Sequence, residues 1–106
     1  MSAVRVGRLE DLRAEQPTLV EVEGTPIVLV RVGDAVYACN DFCTHQGGPL
    51  SEGQVSGTRL TCPWHGWMFD VRTGDCMMPS RGGRVASYPV RVDAGDVWVE
   101  VPSAAP

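Results

Sequence analysis

Hydrophobic and polar positions alternate cleanly at both ends of the chain and lose that rhythm in the middle. Near the start, "AVRVG" from Ala3 to Gly7 reads as a short strand. Residues 8–16 are polar, with apolar anchors for one helical turn at Leu9 and Leu12. "TLVEVE", Thr18 to Glu23, has the period of a half-buried strand. Gly24-Thr25-Pro26 interrupts it, and "IVLVRV", Ile27 to Val32, is a β-branched run. Gly33-Asp34 is a tight hairpin signal before the return strand "AVYAC", Ala35 to Cys39. At the other end, "ASYPVRV" and "VWVEV" flank the turn "DAGD". Pro89 marks an edge strand or a bulge there, because it has no N–H to give a central ladder. The closing "PSAAP" is expected to fray.

Residues 40–80 differ in character. They are rich in Gly, Pro, Cys, His and Trp, and hold two short strand candidates, "TRLTC" and "WMFDV", with Thr73-Gly74 as a turn after the second. The pattern predicts an all-β chain with a single domain over 1–106. Its base, a small antiparallel sandwich or barrel, comes from about 1–39 and 81–106, and an insertion of about 40–80 projects from it. Twelve Gly and eight Pro in 106 residues suit many turns better than a helical bundle. A chain of this length buries roughly two-thirds of its unfolded surface, enough for one modest core.

The formal net charge of −4 excludes a basic nucleic-acid surface. No window approaches the length of a membrane span, and the N-terminus has neither a signal-peptide core nor paired arginines, so the expected compartment is the cytoplasm. Thiols stay reduced there, which makes four cysteines ligands or buried thiols rather than a disulfide framework.

"CTHQGGPL" begins at Cys43 and "CPWHGWMFD" at Cys62; they contain the chain's two histidines. The pattern is Cys43-x-His45, sixteen residues, Cys62-x-x-His65. Thiolate and imidazole together select zinc, copper or iron–sulfur chemistry. A structural Cys2His2 zinc module is the plainest reading, but such sites usually pair cysteine with cysteine and histidine with histidine. Residues i and i+2 of an extended segment point the same way. Cys43 and His45 therefore reach two neighbouring metals more easily than they chelate one. Two sulfide-bridged irons offer that target, with both cysteines on one iron and both histidines on the other.

The motif resembles that of the Rieske iron–sulfur family, C-x-H followed after fifteen to seventeen residues by C-x-x-H. The "CTH" and "CPWHG" surroundings and "LSEG" at Leu50 to Gly53 resemble it as well. The resemblance implies a Rieske-like fold and one 2Fe–2S cluster, bound by Cys43, His45, Cys62 and His65, at the tip of the insertion. Two ferric irons carry six positive charges, which two sulfides and two thiolates cancel. An all-cysteine cluster starts more negative and resists an electron more, so histidine ligation raises the potential. No ligand position is left for a substrate, which implies an electron carrier with no catalytic residue and no small-molecule substrate.

High-potential members of the family resemble C-T-H-L-G-C and C-P-C-H-G-S, with a disulfide between the two extra cysteines. Gly48 and Trp64 stand at those positions here, and Trp67 stands where the serine would be. Loss of a hydroxyl donor to the cluster lowers the potential, so the expectation is a midpoint near the low end of the Rieske range, about −150 mV. In this respect the chain resembles the ferredoxin component of aromatic-ring-hydroxylating dioxygenase systems. That implies a monomeric carrier between a flavoprotein reductase and a terminal oxygenase. The small subunit of another reductase or oxygenase system is the alternative.

Other residues have two readings each. Gly47, Gly48 and Gly66 either let backbone approach the sulfides or simply shape turns. Trp64 and Trp67 either shield the cluster and form a docking face or make the insertion's small core. Cys39 reads as a buried thiol, with a Cys39–Cys76 bridge disfavoured by the compartment. Met77-Met78-Pro79 resembles a cluster-covering loop of the family or is an ordinary connection. Arg81 and Arg84 either meet an acidic partner or are solvated.

Overall fold

A computed structural model of the chain describes residues 2–42, 48–64, 66–78 and 83–101. Eleven strands run through them: β1 (Ser2–Arg8), β2 (Thr18–Val22), β3 (Thr25–Val32), β4 (Ala35–Asn40), β5 (Gln54–Ser56), β6 (Arg59–Thr61), β7 (Met68–Asp70), β8 (Cys76–Met78), β9 (Ser87–Tyr88), β10 (Val90–Asp93) and β11 (Asp96–Val101). No α-helix occurs among the described residues; the anticipated helical turn is a 3₁₀ turn at Leu9–Asp11. The tail 102–106 lies outside them.

The strands form three antiparallel sheets, ordered β1-β11-β10, β2-β3-β4-β9 and β5-β6-β7-β8. The second is packed on both faces, and the sequence of β3 shows why. Ile27 and Leu29 point to one side and join Leu12, Val36, Val97 and Val99 in one core. Val28 and Val30 point to the other and join Leu50, Leu60, Phe69 and Val71 in a second. A strand covered on both faces needs an unbroken apolar run instead of alternation. Each such Val or Ile, fully buried, contributes roughly 1.5–3 kcal/mol relative to exposure. β4 obeys the same parity, with Ala38 in the first core and Cys39 in the second.

Pro89 is the corner between two sheets. Ser87 and Tyr88 pair with β4, while Val90 to Asp93 pair with β11. Both segments are edge strands, so the missing N–H interrupts no central ladder, and the Pro89 carbonyl accepts from Glu100 N–H at 2.9 Å. β5 and β8 were not anticipated: Gln54–Ser56 has a single apolar residue between polar ones, and Met77-Met78 reads as a loop or connection.

Cys39 is a free, buried thiol, which rules out the Cys39–Cys76 bridge. Its Sγ donates to the Val71 carbonyl at 3.4 Å. Burial, with a smaller contribution from the Asp70 carboxylate, pushes its pKa from 9.0 up to about 12. The neutral thiol is therefore the native form, and the stability it contributes is complete below about 9 and lost as pH climbs towards 12. Native protein treated with iodoacetamide at pH 8–9 should leave Cys39 unmodified by peptide mass spectrometry, and denatured protein should be labelled there. Stoichiometric native labelling would contradict this placement.

Candidate metal centre

Two loops converge above the core shared by β3 and the β5–β8 sheet. Phe42 bridges Pro49, and Thr61 pairs with Met68. Each pairing leaves six residues between its flanks, 43–48 and 62–67, and each of these segments begins with a cysteine.

The first loop is closed by Asp41, a residue the sequence reading passed over. Its side chain is buried. Its N–H donates to the Pro26 carbonyl at 3.0 Å, its carbonyl accepts from Leu50 N–H at 2.7 Å, and its Oδ1 accepts from Ser51 N–H at 2.6 Å. Asn40 adds an Asx turn, Oδ1 accepting from Phe42 N–H at 3.0 Å. The Asn-Asp pair immediately before the ligand loop was the available signal. Leu50, fully buried, then pins the returning 3₁₀ turn Leu50–Glu52.

The second loop links β6 and β7. Cys62 N–H donates to the Trp67 carbonyl at 2.7 Å, and Gly66 N–H donates back to the Cys62 carbonyl at 3.1 Å. Gly66 makes this reversal at φ +72°, a left-handed conformation that favours glycine. The Cys62 side chain is buried against the core that holds Leu60 and Phe69. Gly48 brings the first loop against it: a Cβ built on Gly48 would lie 3.1 Å from Cys62 Sγ and 2.9 Å from Trp64 Cδ2.

Trp67 packs against the core, and Trp64 is 53% exposed beside Cys62. Met77 and Met78 are exposed on β8. Arg84 Nε is 3.0 Å from Asp75 Oδ1, and this hydrogen bond, with one from Thr73, holds the Asp75 carboxyl below the usual range. Of the four expected ligands, Cys62 is placed. Cys43, His45 and His65 lie outside the described residues, as do Gly47, Pro79 and Arg81. Among the described residues no group of three or more His, Cys, Asp or Glu converges on a metal.

The family model of the Rieske [2Fe-2S] domain matches residues 2–89. The chain belongs to the Rieske family. It carries the family's single 2Fe–2S cluster, and the observed donor suits it: a thiol sealed from water at the start of the second loop, with the first loop led past it by Gly48. The anthranilate 1,2-dioxygenase ferredoxin subunit of Burkholderia cepacia is 32% identical over 96 residues, covering 91% of this chain and 89% of that one. The ferredoxin of carbazole 1,9a-dioxygenase from Nocardioides aromaticivorans IC177 superposes with a TM-score of 0.88 at 35% identity, over 93% and 97% of the two chains. A carbazole 1,9a-dioxygenase complex of reduced oxygenase and oxidised ferredoxin matches with a TM-score of 0.85 at 34% identity, over 92% and 91%. The all-β Rieske-like expectation holds, and among the described residues no helix is long and apolar enough to cross a membrane.

Asp41 gives this Rieske centre a testable support. Asp41→Ala leaves the buried end of the first loop without its acceptor, at a cost of about 1–3 kcal/mol. Purified Asp41→Ala should hold less than half the wild-type iron and sulfide, while Asp41→Asn, which keeps Oδ1, should hold nearly all. Equal loading of the Ala variant and wild type would refute the role.

Proposed function

We propose that this Rieske protein carries single electrons from a flavin-dependent reductase to the terminal oxygenase of a ring-hydroxylating dioxygenase system. The observation that carries the reading is near end-to-end similarity to ferredoxin subunits of such systems, with 89% and 97% of two of their chains covered. In this reading Cys43 and Cys62 bind one iron and His45 and His65 the other. When bound, the cluster supplies reversible one-electron chemistry.

The chain's own residues hold and tune that centre. The cysteine end is sealed against the core through Cys62; Phe42, just before the first loop, and Trp64, within the second, are exposed. These side chains form an apolar rim for a transient encounter of under ~1,200 Å². Trp67 has no hydroxyl, so the O–H donation that the serine of the high-potential members gives is missing, and the reduced form is less stabilised. The net charge of −4 suits a protein working as a monomer in the cytoplasm.

Anaerobic redox titration followed by EPR tests the reading. The oxidised protein should be silent, one equivalent of reductant should bring up a single signal, and the midpoint should fall near ~−150 mV. A midpoint well above zero contradicts the low-potential assignment. His45→Ala should abolish the signal, and a retained, unaltered spectrum would contradict the ligand assignment.

A further inference from the structure

Trp64, in the second ligand loop, is 53% exposed, and a large apolar side chain gains little by being half exposed. Its ring is nevertheless placed. The Cβ position of Gly48 would be 2.9 Å from Trp64 Cδ2, closer than a real methyl tolerates, and 3.1 Å from Trp64 Cγ. Cγ is bonded to the Trp64 Cβ and Cδ2 is the next ring atom, so relieving the contact moves the whole indole and not a flexible chain end. The same Gly48 position is 3.1 Å from Cys62 Sγ, so indole, glycine backbone and ligand sulfur meet at one point. Cys62 is 2% exposed although the residues on its C-terminal side, Pro63 and Trp64, are exposed.

We propose that Trp64 is a positioning residue: its indole, laid across Gly48, is a non-covalent staple between the two ligand loops and a lid that keeps water from the Cys62 sulfur. The inference rests on the cluster reading above. The staple's strength comes from apolar contact between an aromatic face and bare backbone, which any side chain at position 48 would prevent. The lid acts on the potential. Adding an electron makes the centre more negative, and water at the sulfur favours the more negative state. Excluding water therefore lowers the potential.

The test uses cluster-loaded protein throughout, with midpoint potential and the half-life of the visible chromophore in air as readouts. Trp64→Ala should raise the midpoint and shorten the half-life at least threefold. Trp64→Phe, which keeps an aromatic face, should recover most of both. Gly48→Ala should act in the same direction by displacing the ring, and Gly48→Ala with Trp64→Ala should be no worse than Trp64→Ala alone. Unchanged midpoint and half-life in Trp64→Ala, or additive effects in the double variant, would overturn the proposal. Should Gly48→Ala fail to fold, the pair G48C/W64C decides the geometry. Trp64 Cγ, one bond from its Cβ, is 3.1 Å from the Gly48 Cβ position, which puts the two Cβ atoms within disulfide reach. Oxidised glutathione should join them, releasing two reduced glutathiones and lowering the protein mass by two hydrogens. Failure to join contradicts the contact. If wild type shows no reducible cluster, the functional reading has failed; if only the variants behave otherwise than stated, the staple has.

Discussion

The approach of Gly48 to the Cys62 sulfur joins two loops that the backbone otherwise keeps apart. The first leaves the middle sheet at the end of β4, and the second connects β6 and β7 in the smaller sheet. Their meeting point tolerates no side chain at position 48. Behind it, the Asp41 carboxylate and the Cys62–Trp67 backbone hydrogen bond close each loop at its base. Fixed loop bases suit a carrier of electrons, whose scaffold has to change shape little when its charge changes.

The layers below serve that tip. β3 and β4 face two cores at once, and the core on the cluster side contains Cys62 itself together with Leu50 just past the first loop. Packing that stabilises the fold therefore also fixes where both loops emerge. The other core, between the middle sheet and β1-β11-β10, holds the middle sheet from behind.

Legibility in the sequence followed the physics of each signal. The long strands at the two ends were visible because five to eight residues are enough to show alternation or an unbroken β-branched run. β5 and β8 were missed because one has a single apolar residue and the other starts a Met-Met-Pro run that reads as a connection; both are paired into the sheet they join. Pro89 was read as an edge or bulge, and its place between sheets could not be told from its chemistry alone. The metal centre was legible as a motif, since thiolate and imidazole in mixed pairs are rare without a reason. Its support was less so. Asp41 acts through backbone hydrogen bonds that depend on chain reversal, and the different roles of Trp64 and Trp67 depend on which face of a six-residue loop each occupies.

The central claim is an asymmetric two-iron centre, sulfur-bound on the buried side and imidazole-bound at the tip. Mössbauer spectroscopy of reduced, iron-isotope-enriched protein, with nitrogen hyperfine measurements on the same sample, tests it most directly. The account predicts equal amounts of a sulfur-ligated ferric site and a ferrous site coupled to two imidazole nitrogens. Two sulfur-only irons, or a single metal ion that does not change oxidation state, would contradict it.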